Sequence, residues 1–221
     1  MNSLTTASQI SNRLIRTWFA KLETFVVQRN LRRIGADGAY RIPTLTSRQE
    51  LHTLYYLARN CSPGSSALEI GSYLGASTCY LAAGMAKVNG QLFCVDTWQN
   101  ETMPDGLRDT LAEFMENTRG AQPWLKIVRK RSEQLTEADV ALPLELVFID
   151  GDHSYQAVHT DFQRTSPWLS REGTIAFHDS LYYEGVARTI GEALVTGEWA
   201  IIGCVGNLCW IKRAKPNRSG G

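Results

Sequence analysis

Asp150, Asp152 and His153 follow one another at the end of an apolar run, in the stretch "VFIDGDHSYQ". Two carboxylates and an imidazole placed where a buried segment reaches solvent suit three purposes. They can cap the next helix, bind a cation, or act as a general base. A histidine is fitted to the last role because its ordinary pKa lies close to neutral pH. For Asp152 and His153 the plain alternative is capping of a helix that starts near Tyr155. A second pair of chemistry-bearing residues, His178 and Asp179, ends "GTIAFHD". If both segments are parallel strands lying side by side, their carboxyl ends are about 5 Å apart. Asp150 and Asp179 could then converge on one hard cation such as magnesium, which prefers oxygen ligands.

A third group lies earlier. "LEIGSYLGAS" carries Glu69, Gly71, Ser72, Gly75 and Ser77 where an apolar strand passes into a helix. Glycines there let the backbone turn sharply and approach a ligand closely. The spacing G-S-x-x-G lacks the third glycine of the dinucleotide-binding fingerprint, which disfavours a nicotinamide oxidoreductase. An acidic Glu69 before the loop disfavours a phosphate and favours a cationic or amine-bearing ligand. Asp96 ends "QLFCVD" a little over 20 residues beyond the loop, where a carboxylate can accept the hydroxyls of a ribose. The plain alternatives are a helix-terminal charge for Glu69 and a turn residue for Asp96.

These residues need elements to hold them. After Pro63 and Gly64, short apolar strands alternate with helical stretches. The strands are "ALEIG", "QLFCVD", "WLKIVR", "LELVFID" and "GTIAFHD". Helices are expected over "GASTCYLAAGMAK", from about Asp105 to Thr118, over "YQAVHTDFQRTSPWL" and over "VARTIGEALV", with a short one at "SEQLTEAD". "WAIIGCV" and "NLCWIKR" close the chain as two strands joined by a tight turn at Gly206 and Asn207. The alternation predicts an α/β fold, Rossmann-like and doubly wound, with a mostly parallel seven-stranded sheet and an antiparallel C-terminal strand. In such sheets ligands bind beyond the carboxyl ends of the strands. Every group named above falls at one of those ends. Helical spacing from about Ser11 to Ile34, and a capping box at Ser47 and Glu50, add N-terminal helices. Residues 1–45 read as a helical extension, a lid or a dimer contact, 46–213 as the ligand-binding domain, and 214–221 as a disordered tail.

The first glycine loop with "FCVDTW", followed by "LVFIDGDHSYQAVHTDFQRTSPWLSREGTIAFHD", resembles the class I S-adenosylmethionine-dependent methyltransferases. Within that class it is similar to the macrocin and sugar O-methyltransferase subgroup, and more distantly to catechol O-methyltransferase. The resemblance spans roughly Ser65 to Lys212. It implies S-adenosyl-L-methionine as cofactor, with contacts from Glu69, Gly71, Ser72, Tyr73, Gly75, Ser77, Asp96, Thr97, Trp98, Ser132 and Asp150. Glu69 would lie near the amino group, Asp96 at the ribose, and Ser132 and Glu133 at the adenine. It implies a divalent cation held after the fourth and fifth strands by Asp150, His178 and Asp179. Magnesium is the first expectation. The histidine at 178 replaces the acid usual there and shifts preference toward manganese, iron or zinc. Either Asp152 or His153 would take the acceptor's proton. Trp98 reads equally as a stacking surface or as core.

The 221-residue chain has a net charge of +1, which gives no reason to expect nucleic acid or a membrane surface as partner. It has no run of about 20 apolar residues. Five cysteines with no C-x-x-C pair argue against a disulfide framework or structural zinc. Cys79, Cys94, Cys204 and Cys209 read as small core residues. The expectation is a cytoplasmic enzyme with a small-molecule acceptor, and a homodimer is considered. The competing readings are a cofactor-binding module without turnover and a metal-dependent hydrolase built on Asp150, His153 and Asp179.

Overall fold

The computed structural model describes Trp18, residues 20–101 and residues 106–215. The expected helix start before Trp18, part of the loop "TWQNETMPDG" and the last six residues of the tail lie outside the described residues. Helix α1 covers 20–33. Then follow α2 (Arg48–Arg59), β1 (Ser66–Ile70), α3 (Ala76–Met85), β2 (Gln91–Asp96), α4 (Leu111–Asn117), β3 (Leu125–Arg129), β4 (Leu144–Ile149), α5 (Tyr155–Thr165), β5 (Leu169–Phe177), α6 (Glu184–Val195), β6 (Trp199–Val205) and β7 (Leu208–Arg213).

The seven strands form one sheet in the order β3-β2-β1-β4-β5-β7-β6. β1 to β5 pair in parallel, and β7 inserts antiparallel between β5 and β6. The strand residues explain why both faces are covered. Side chains alternate along a strand, and here both sets are apolar. Ala67, Leu92, Cys94, Leu146, Phe148 and Ala176 point into a core shared with α1, α2 and α3. Leu68, Ile70, Phe93, Val95, Val147, Ile149, Ile175 and Phe177 point into the opposite core, under α5 and α6. Val27, Leu31 and Ile34 of α1 belong to the first cluster. Among the described residues, no helix is long and apolar enough to cross a membrane.

Local differences from the expected elements have physical causes. "SEQLTEAD" forms two 3-10 turns, Ser132–Gln134 and Glu137–Asp139, because Thr136 and Asp139 close a capping box between them. Pro167 lies two residues beyond the end of α5, and a 3-10 turn at Ser166–Trp168 replaces the expected last turn of helix. β5 begins at Leu169, four residues before Gly173, with its register shifted against β4. The Ser47–Glu50 capping box forms as expected and starts α2.

Candidate active site

A cavity of about 620 Å³ opens at the carboxyl ends of β1, β2, β4 and β5, in the size range of small-molecule sites. One wall is the β1–α3 loop. Gly71 has φ +88°, and a Cβ there would lie 2.1 Å from the carbonyl oxygen of Asp150. The bare glycine thus lets the β1 loop touch the β4 loop. Gly75, at φ +93°, caps α3, and a Cβ there would meet Thr118 at 2.4 Å. Gly75 serves packing and does not line the cavity.

Two carboxylates hold this loop from below. Asp96 Oδ2 accepts the backbone N–H groups of Ser72 and Tyr73, both at 2.9 Å, and Oδ1 accepts that of Trp98 at 2.7 Å. Asp96 also lines the cavity, as do Ser72, Tyr73, Ser77 and Thr97. Glu69 is fully buried and accepts three hydroxyls, from Ser72 (2.8 Å), Ser77 (2.6 Å) and Thr78 (2.5 Å). Burial pushes its pKa up to about 7, the hydroxyl bonds opposing and the Asp150 charge adding to the rise. Glu69 is the residue expected near a ligand's amino group. Its carboxyl is spent on the loop's hydroxyls, and it does not line the cavity. Trp98 is likewise core rather than a stacking surface. It is fully buried, packs on Phe114 with centroids 4.9 Å apart, and donates its indole N–H to the Tyr73 carbonyl at 3.1 Å.

Ser132 and Glu133 line the far side of the same cavity. They are joined there by Asp161 of α5, a residue the sequence did not single out. Asp161 is 2% exposed and its Oδ1 has no hydrogen-bond partner. Burial pushes its pKa up to about 6, with Glu133 and Asp152 adding and Ser132 and Arg164 opposing.

Asp150, His153 and Asp179 gather at the near side. His153 Nε2 lies 3.6 Å from Asp150 Oδ1 and 3.4 Å from Asp179 Oδ2. These separations exceed hydrogen-bond length, and Nε2 has no hydrogen-bond partner. The imidazole stacks on Tyr183, with ring centroids 4.4 Å apart and planes 12° apart. Asp179 has a left-handed backbone, φ +56°, costly for a non-glycine residue and typical of functional turns. One ligand atom from each of the three residues lies within 4.8 Å of the others. An imidazole nitrogen facing two carboxylates without a hydrogen bond leaves a space that a cation would satisfy. Two carboxylates with one imidazole suit manganese, iron or zinc as well as magnesium.

His178, expected as a ligand, adjoins this trio and also lines the cavity, but it is not one of the three residues whose ligand atoms gather there. It is 3% exposed, with Nδ1 3.1 Å from Asp150 Oδ1 and 3.5 Å from Asp179 Oδ1, and Nε2 3.5 Å from Glu50 Oε2. Burial disfavours its charge, but the bond and charge of Asp150, with Asp179 and Glu50, outweigh that and raise its pKa to about 9. Asp150 responds in turn. Burial raises its pKa, yet the two histidines hold it below the usual carboxylate range. Glu50 was legible only as a capping residue. Its Oε2 accepts the Ser47 N–H at 2.6 Å and its Oε1 accepts the Asn207 N–H at 2.6 Å. A single buried carboxylate therefore joins α2, the terminal hairpin and His178. Asp152 Oδ1 accepts the Ser154 N–H at 2.7 Å, and Ser154 caps α5. Asp152 thus serves the helix start, while its exposed side chain also lines the cavity.

A family model for a methyltransferase domain matches residues 68–180, just over half of the chain. The uncharacterized protein y4gI of Sinorhizobium fredii (strain NBRC 101917 / NGR234) is 26% identical over 116 residues, 51% of this chain but 13% of that protein. The chain therefore spans only a small part of that relative's length. The O-methyltransferase NovP is 13% identical, with a TM-score of 0.63, covering 87% of this chain and 100% of that one. The SAH-bound methyltransferase PaMTH1 of Podospora anserina is 15% identical, with a TM-score of 0.62 and 97% of both chains covered. At such identities the structures share the fold. The family match takes in the β1 loop, Asp96, the Asp150–His153 segment and His178–Asp179, and on it the chain belongs to the S-adenosylmethionine-dependent methyltransferases.

Proposed function

We propose that this enzyme transfers methyl to a hydroxyl oxygen of a small acceptor, a sugar or a phenol-like compound, with a divalent cation held by Asp150, His153 and Asp179. The observation that carries this reading is the unpartnered His153 Nε2 between two carboxylates, in the same cavity as the β1 loop and Asp96. Cofactor and cation groups that face one space favour transfer to a bound oxygen over hydrolysis or simple cofactor binding. The resemblance to sugar O-methyltransferases supports the acceptor class.

S-adenosylmethionine supplies a methyl group on a positively charged sulfur. The backbone of Gly71–Tyr73 and Ser77 would hold its methionine part, Asp96 its ribose, and Ser132 with Asp161 its adenine. A cation at the trio would bind the acceptor oxygen and lower its pKa. The remaining task is to take the hydroxyl proton. With His153 committed to the cation, Asp152 is the base, through the oxygen not bonded to Ser154. The second assignment keeps His153 as base, and its stacking on Tyr183 at the cavity favours it, because stacking fixes the ring plane. Leu45, exposed, and Tyr183 line the cavity; they would contact the acceptor body. The exposed Trp18, Leu22 and Phe25 of the N-terminal helix support a homodimer contact.

The test is transfer of labelled methyl from S-adenosylmethionine to a panel of sugars and phenols, before and after chelation and with manganese or magnesium restored. Transfer to a hydroxyl, lost on chelation and regained with metal, is expected. Transfer unaffected by chelation would remove the cation from this reading. Transfer to nitrogen or carbon acceptors alone would overturn it.

A further inference from the structure

The terminal hairpin holds a pair of cysteines that methyl transfer does not use. Cys204 of β6 and Cys209 of β7 are direct cross-strand partners, and their sulfurs lie 3.1 Å apart. The sequence had placed both in the core. Instead, Cys204 is exposed while Cys209 is buried. Residues directly opposite in an antiparallel ladder have Cα atoms about 4.5–5.5 Å apart, inside the range that a disulfide spans without backbone movement. β6 is an edge strand of the sheet.

We propose that Cys204 and Cys209 are an oxidation site, closing to a reversible cross-strand disulfide when a hydroperoxide reaches Cys204. The roles follow from exposure. The Cys204 sulfur, as thiolate, attacks one peroxide oxygen; an S–O bond forms, the O–O bond breaks, and the leaving oxygen departs as water. The Cys209 sulfur then attacks the Cys204 sulfur of the sulfenic acid. An S–S bond forms, the S–O bond breaks, and hydroxide leaves with the Cys209 proton as a second water. Two thiols lose two electrons and two protons, and the peroxide gains them. Burial and the neighbouring Cys204 push the Cys209 pKa up to about 12, which leaves Cys204 as the first sulfur to react. Cys61, Cys79 and Cys94 have no such sulfur neighbour; burial raises the pKa of each, with that of Cys61 and Cys79 reaching about 12.

The bridge would lie beside the active site. Cys209 is opposite Phe177 in the β5–β7 ladder, and Phe177 directly precedes His178. The hairpin turn is bonded to Glu50 through the Asn207 N–H, and the Asn207 carbonyl accepts the backbone N–H of Ser180 at 2.8 Å and its hydroxyl at 2.7 Å.

The full chain, fully reduced, is treated with hydrogen peroxide, alkylated and digested with trypsin. No lysine or arginine lies between Arg188 and Lys212, so both cysteines stay in one peptide. The expected result is a fall from five free thiols to three, and a loss of two hydrogens from that peptide that dithiothreitol reverses. Cys204→Ser should keep its remaining four thiols under the same treatment. Five unchanged thiols, a Cys204 carried on to sulfinic acid with Cys209 still free, or bridges at other cysteines would each overturn the proposal.

Discussion

Asp152 and His153 are adjacent, yet the fold asks different things of them. One Asp152 oxygen closes the turn into α5, while the His153 ring is clamped on Tyr183 with Nε2 toward Asp150 and Asp179. With His153 as cation ligand and Asp152 as base, Asp152→Asn should cost about 10²–10⁴-fold in turnover with cation affinity retained. His153→Asn should weaken manganese binding first, and excess manganese should restore part of its turnover. Turnover against manganese concentration for both variants decides this. A His153→Asn loss that no manganese concentration relieves would make His153 the base. Glu69 allows a test on stability. Its folded pKa is raised, from 4.5 to about 7, so folding favours its protonated form. The contribution is complete below about pH 4.5 and is lost as pH rises through 7. Relative to Glu69→Gln, the wild type should lose stability by roughly 1.4 kcal/mol per pH unit across that window. Urea unfolding of both proteins at pH 5 and pH 8 measures the difference; parallel stabilities would mean that Glu69 stays ionised in the fold.

At the scale of elements, the site depends on how closely the β1 and β4 loops approach. Gly71→Ala puts a methyl 2.1 Å from the Asp150 carbonyl oxygen at φ +88°. We expect a loss of about 2–4 kcal/mol, together with weakened cofactor binding, because the Asp150 backbone must move. Thermal unfolding and calorimetry with S-adenosylhomocysteine check both, and an unchanged affinity would separate the loop contact from the site. The strands and their order of appearance were legible because each is a short run rich in apolar residues, most of them bounded by glycine, asparagine or aspartate. The strand-end positions of Asp96, Asp150 and Asp179 were legible for the same reason. What the chain did not reveal were contacts set by rotamer and turn geometry. Nothing local in "FHDS" says that Asp179 takes a left-handed backbone, or that His178 turns toward Glu50, 128 positions earlier in the chain. The same holds for Tyr183 lying over His153. Trp98 read equally as ligand surface or core because a large aromatic after a strand serves either, and only packing against Phe114 distinguishes them.

Over the whole molecule, the carboxyl end of the sheet collects a loop braced by two carboxylates, a cavity, and a carboxylate–imidazole trio, while two apolar cores hold the strands from both faces. Asp96 belongs to this scale because it braces the loop and, on the proposed reading, would also hold the ribose. Asp96→Ala releases three backbone N–H groups. Its loss of S-adenosylhomocysteine affinity, about 1–3 kcal/mol, should therefore be accompanied by a lower melting temperature. Calorimetry and thermal unfolding on the same variant read the two effects, and full affinity would remove Asp96 from the ribose site. The central claim is that cofactor and cation meet in one cavity. Anomalous diffraction from crystals grown with S-adenosylhomocysteine and manganese tests it most directly. The account predicts a manganese peak coordinated by Asp150, His153 and Asp179, with the ribose hydroxyls at Asp96. A cofactor bound at Asp96 with no manganese peak at those three residues would contradict it.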